Sequence, residues 1–113
     1  MDFNQLARKR DSVRKYLDKP VEQHKLDTIL KAGRVAPTAC NNQSQRIIVA
    51  NNADSLEKAA AAGKTFGAPL VLLVCADTNA AWVRAYDRKN VAETDAAIVT
   101  THMMLQATDL GLG

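Results

Sequence analysis

The chemistry-bearing residues of this chain fall in two short polar stretches. The first is Arg10-Asp11-Ser12-Val13-Arg14-Lys15-Tyr16. Guanidinium forks at Arg10 and Arg14, with a small hydroxyl at Ser12 between them, are the donor set that an anion such as a phosphate demands. A solvated, charged helix end is the plainer reading of the same residues. The second stretch is Ala36-Pro37-Thr38-Ala39-Cys40-Asn41-Asn42-Gln43. Its small residues allow close backbone approach, and Asn41 brings both a donor and an acceptor. Without a ligand the stretch is simply a loop that follows a helix ended by Pro37.

Other chemistries find little support. His24 lies in a polar stretch of surface character, and His102 sits within an apolar helical run. Asp11, Asp87 and Asp95 have no partner spacing for paired acid–base work. Cys40 and Cys75 are the only cysteines, far apart and without a Cys-x-x-Cys pattern. They read as reduced thiols rather than a disulfide or metal site. The basic cluster Arg8, Lys9, Arg10, Arg14, Lys15 and Lys19 has only Tyr16 as a stacking platform, so nucleic acid is not an expected partner. No apolar run reaches the roughly 18 residues that span a bilayer. The Met1–Gln5 start lacks the apolar core of a signal peptide, so a cytoplasmic protein is expected.

Several elements must position these residues. The chain has 113 residues, 47% apolar and 24% charged, with a net charge of +3, which suits one globular domain over residues 1–113. Phe3, Leu6 and Ala7 share a helical face, predicting a helix over Asp2–Arg10. Asp11–Tyr16 breaks that period and reads as extended. A second helix is expected to begin near Pro20 and stop before Pro37, carried by Val21, Leu26, Ile29, Leu30, Gly33 and Val35. Arg46–Ala50 is β-branched and predicts a strand. A third helix, capped by Asp54 or Ser55, should run to Gly63. Pro69–Ala76 is continuously apolar, which predicts a central strand covered on both faces. Glu93–Leu110 predicts a long helix ended by Gly111. Its apolar residues form two stripes: Ala96, Val99, Met103, Ala107 and Leu110, then Ala97, Ile98, Met104 and Leu105. The order predicts an α+β or α/β sandwich with a small sheet.

Together these stretches, with Ala68–Asp77 and Asp95–Gly113, resemble in order and spacing the nitroreductase family of FMN flavoproteins. The resemblance implies an α+β, three-layer sandwich with a small sheet flanked by helices, dimeric around a long central helix. It implies an FMN-dependent oxidoreductase that moves hydride from NAD(P)H to a nitroaromatic, quinone or other electron-poor small molecule. The runner-up is an inactive flavin-binding or dimerising protein of the same fold. Arg10, Asp11, Ser12 and Arg14 are similar to the family's grip on the FMN phosphate and ribityl chain. Pro37, Thr38, Ala39 and Asn41 are similar to its second flavin loop, which meets FMN held mainly by the partner subunit. Lys64 lies where some members place a basic residue near the flavin. No catalytic side chain is expected, because flavin chemistry belongs to the cofactor. The family usually continues its Asn-x-Gln with Pro and an aromatic residue, where this chain has Ser44 and Gln45. Family domains also run past Gly113, so the chain is expected to hold the N-terminal part of the domain, its C-terminal part missing.

Overall fold

The computed structural model describes residues 1–113. Helix α1 spans Phe3–Lys9, and Asp2 and Gln5 close a reciprocal capping box at its start. An irregular stretch leads to α2, Gln23–Arg34, three residues after the expected proline start. A short 3-10 turn over Ala39–Asn41 follows, then β1, Gln45–Ala50. Helix α3 is Ala53–Ala62, β2 is Val71–Ala76, and α4 is Ala92–Asp109.

The class is α+β, with helices against a small sheet. Strands β1 and β2 pair antiparallel, with Ile47 opposite Val74 and Ile48 opposite Leu73. Strand alternation then decides the faces. Ile47, Leu72 and Val74 point inward onto Ile29, Ala36, Val99 and Met103, the core contributed by α2, the segment after it and α4. Arg46, Ile48 and Cys75 point outward and stay exposed. The sequence expectation of a β2 covered on both faces is therefore corrected. One face is packed, and β2 has a single hydrogen-bonded neighbour.

Close packing between α2 and α4 depends on Gly33. A Cβ there would lie 2.7 Å from Met103 Sδ and 3.3 Å from Ile47 Cδ1. Val99 and Met103, on the first apolar stripe of α4, are buried, whereas Ala97 and Met104 of the second stripe are exposed. Gly111 adopts φ +79° and stops α4, as glycine does readily.

Two local expectations also change. Asn52, not Asp54 or Ser55, caps α3, and Ser55 returns the capping-box bond to Asn52. The apolar face of α1 finds no burial within the chain, and Phe3 is 68% exposed. A helix of seven residues that touches the body mainly through α4 has nothing further to cover that face.

Candidate functional site

Between α2 and β1 the backbone takes an unusual course. Cys40, Asn41 and Gln43 have φ of 53°, 54° and 52°. Non-glycine residues occupy this left-handed region at a cost, and persist there when their surroundings over-determine them. The surroundings do so here. Asp95, 1% exposed, accepts hydrogen bonds from the Ala39 backbone N–H at 2.9 Å and the Ser44 hydroxyl at 3.2 Å. It stands in the first turn of α4, where the helix dipole favours a carboxylate. Thr38 Oγ1 accepts the Gln43 backbone N–H at 3.0 Å and its side-chain amide at 3.2 Å. Arg46 donates to the carbonyls of Gln43 and Gln45 at 2.9 and 2.8 Å.

Side-chain amides extend this order. Gln45 Nε2 donates to Gln43 Oε1 at 2.8 Å, and Gln43 Nε2 donates to Asn41 Oδ1 at 2.7 Å. Asn41 itself is exposed, as is Pro37, while Thr38 and Ala39 are half-buried. The loop is a surface of small and amide residues, with Cys40, Asn41 and Asn42 exposed. Ser44 and Gln45, the departures from the family pattern, are structural members of it.

The basic stretch is arranged for a different task. Arg10 Nη1 donates to Ser12 Oγ at 3.5 Å, and the Asp11 carboxylate accepts the Ser12 backbone N–H at 2.8 Å. The Tyr16 hydroxyl donates to the Val13 carbonyl at 3.0 Å and pins the following turn. Neither Arg10 nor Arg14 is engaged in any ion pair. Two uncompensated guanidinium groups therefore flank a hydroxyl.

These two arrangements are not brought together within one chain. Asp95 holds the Asn41 loop at the start of α4, whereas Val13 lies against Gly113 beyond its end. At 1.5 Å rise per residue, about 20 Å of helix lies between Asp95 and the end of α4. Lys64 is exposed in the loop after α3. Its neighbours Thr65, Gly67 and Ala68 share a cleft with Asp18 and Pro20, on the flank of the basic stretch. A separate apolar cleft of about 580 Å³ runs between Tyr16, Leu17, Leu70, Leu72, Met103 and Met104.

Remaining groups do not point to other chemistry. No cluster of His, Cys, Asp or Glu has the geometry to hold a metal. No helix is long and apolar enough to cross a membrane. The two carboxylates shifted below their ordinary range lie outside both arrangements. Asp87 is lowered chiefly by the hydrogen bond from Arg84, and Glu22 by a backbone hydrogen bond and then Lys25. The sequence assigns no role to Asp95 or Ser44. The available signal is that Asp95, one of two carboxylates in the first turn of α4, falls four residues before Val99 on the buried stripe, a position that can be buried only when its oxygens are satisfied.

The nitroreductase family model matches residues 7–64, the stretch that contains both polar arrangements. Among curated proteins, the chain is similar to the FMN reductase [NAD(P)H] of Bacillus subtilis, at 32% identity over 90% of this chain and 48% of that protein. Among solved structures it is similar to a nitroreductase family protein from Clostridium difficile, with a TM-score of 0.96 and 46% identity. That match covers 98% of this chain and 64% of the other. An FMN-dependent nitroreductase from a second strain of that organism gives a TM-score of 0.81 at 34% identity, over 96% of this chain and 61% of its own. The chain thus spans about half to two thirds of the length of these relatives.

Proposed function

Because the chain belongs to the nitroreductase family, we propose that it works in an FMN-dependent oxidoreductase that passes hydride from NAD(P)H to an electron-poor small molecule, a nitroaromatic or a quinone. The observation that carries this reading is the loop Pro37–Gln43. Its strained backbone is fixed by buried Asp95, and it presents the exposed amide of Asn41 next to the exposed thiol of Cys40. In a flavin enzyme such a surface binds and orients the cofactor, which carries the chemistry.

The donor set fits FMN. Arg10 and Arg14, free of carboxylate partners, match a phosphate dianion, with Ser12 as an additional donor and Asp11 holding Ser12 in place. Lys64, exposed after α3, is assigned to the pyrimidine side of the flavin on the family resemblance alone. Pro37, Thr38 and Ala39 offer a low-relief wall for a flat ring, and Asn41 reaches a polar edge of it. FMN, when bound, accepts and passes on the hydride. The chain's residues hold the phosphate at one end and seat the ring at the other.

The two arrangements sit toward opposite ends of α4, which supports a reading in which different copies contribute them. Arg10, Ser12 and Arg14 of one subunit and the Asn41 loop of a second would share one flavin in a homodimer. The exposed stripe of α4 supplies an apolar surface for that pairing.

An absorbance scan of the purified chain, before and after added FMN and NADPH, tests the reading. Oxidised-flavin bands that bleach with NADPH and return with an acceptor are expected. A colourless chain that takes up no FMN would overturn it in favour of an inert, dimerising protein.

A further inference from the structure

Asn41 has two ways to face a ligand. Its side chain presents either the NH2 group, a donor, or the oxygen, an acceptor, and the two faces recognise opposite ligand atoms. The atoms behind it decide which.

The decision starts at the end of α2. The carbonyl of Gly33 would ordinarily accept the N–H four residues on, but that residue is Pro37, which has none. Gln45 Nε2 approaches this carbonyl at 3.5 Å and donates to it, and also donates to Gln43 Oε1 at 2.8 Å. Gln43 is thereby held with its NH2 turned away from Gln45, towards Thr38 Oγ1 at 3.2 Å and Asn41 Oδ1 at 2.7 Å. With its oxygen occupied, Asn41 shows its NH2 outward. Turning Gln45 over would set its oxygen against the Gly33 carbonyl, two acceptors facing each other. The observed direction persists even though it leaves Gln45 Oε1 buried and without a partner.

We propose that Gln45 and Gln43 are positioning residues that fix the polarity of Asn41, so that it meets its ligand as a hydrogen-bond donor and not as an acceptor. The ligand atom it recognises is then an acceptor: a carbonyl oxygen, an unprotonated ring nitrogen or a hydroxyl oxygen. That the ligand is the flavin rests on the function proposed above. The relay itself is a property of this chain alone.

Two measurements test it, one without flavin. In the 15N-labelled chain, side-chain amide protons of Gln43 and Gln45 should exchange slowly with solvent and those of Asn41 fast. Protected Asn41 protons would overturn the polarity; the Gln45 protons lie buried in either direction. The second measurement is FMN affinity in variants with unchanged circular dichroism. Asn41→Asp still accepts from Gln43 but shows only oxygen outward, and should lose about tenfold or more in affinity. Gln43→Glu can only accept, so it turns the Asn41 NH2 inward and should lose a similar factor. Gln43→Met breaks the relay without imposing a direction and should lose clearly less. Unchanged affinity in Asn41→Asp, or equal losses in the two Gln43 variants, would overturn the proposal. A wild-type chain that binds no FMN would instead sink the flavin reading, and the exchange pattern would still decide the relay.

Discussion

The carboxylate of Asp95 reaches 56 residues back along the sequence to accept the backbone N–H of Ala39 at 2.9 Å. This bond ties the start of α4 to the loop with three left-handed residues, Cys40, Asn41 and Gln43. The same carboxylate accepts the Ser44 hydroxyl at 3.2 Å, so both ends of the loop hang from one buried side chain. A loop seated on the long helix in this way moves only when the helix moves.

Removing that anchor should therefore loosen the loop and weaken the fold together. Asp95→Ala leaves the half-buried Ala39 N–H and the buried Ser44 hydroxyl without acceptors, the buried hydroxyl at about 1–3 kcal/mol and the N–H at less. We expect a total loss of about 2–5 kcal/mol in urea denaturation, with faster hydrogen exchange at Ala39. Asp95→Asn keeps the shape and one acceptor oxygen, and should fall between wild type and Asp95→Ala. An Asp95→Ala chain as stable as wild type would show that the loop does not depend on this anchor.

The basic stretch yields a separate prediction. Arg10 and Arg14 lack carboxylate partners, so substitution costs the fold little and the anion much. A charge-assisted hydrogen bond contributes about 1.5–3 kcal/mol. Arg14→Ala and Arg10→Ala should each weaken FMN binding by about ten- to a hundredfold, with little change in thermal stability. Fluorescence titration of FMN reads this directly. Unchanged affinity in both variants would remove these residues from the site.

Much of this arrangement is legible in the sequence because it is local. Period and punctuation locate all four helices, both strands and the irregular stretch after α1. The polar loop and the Arg-x-Ser-x-Arg stretch stand out by residue type. What the sequence does not show is which polar groups meet across distance. Asp95 carries no mark of its partners Ala39 and Ser44, because that pairing exists only once α4 docks beside the loop. The coverage of β2 is similarly non-local: an apolar run states that a strand can be buried, not which of its faces finds a neighbour. Asn52 took the capping role from Asp54 for a smaller reason. A helix start shifted by a residue or two leaves several acceptable caps in a polar run, and the backbone chooses among them.

Gly33 offers a test of the α2–α4 packing on its own. Alanine is intrinsically the better helix residue, by up to about 1 kcal/mol. Here its Cβ would meet Met103 Sδ at 2.7 Å and Met103 Cγ at 3.0 Å. Met103 is buried, and because its Cγ as well as its Sδ would be crowded, relief requires the whole side chain to turn into the cleft that it lines. Overpacking of this kind costs about 1–3 kcal/mol. Gly33→Ala should therefore lower the urea midpoint, against its helix propensity. A rise in the midpoint would mean that Met103 yields freely and that the contact is loose.

The sharpest prediction concerns how many chains build one site. The Asn41 loop and the Arg10–Arg14 stretch lie toward opposite ends of α4, with about 20 Å of helix between Asp95 and its end. In the proposed homodimer, one flavin takes its phosphate contacts from one copy and its ring contacts from the other. The surface for that pairing is the second stripe of α4, where Ala97 and Met104 are exposed and Ile98 and Leu105 half-buried. Each large apolar side chain buried there contributes on the order of 1.5–3 kcal/mol. Wild type should sediment as a dimer at micromolar concentration, and Ala97→Glu should shift it towards monomer and reduce FMN binding with it. Mixing separates a shared site from a merely adjacent one. Arg14→Ala and Asn41→Ala chains, each weak in FMN binding alone, are unfolded together and refolded as a mixture. In a mixed dimer one site carries both substitutions, and the other combines an intact Arg14 from one chain with an intact Asn41 from its neighbour. Tight binding should therefore reappear at about one site per mixed dimer. A mixture that binds no better than its two components would place Arg14 and Asn41 in the same chain's site, or in no common site at all.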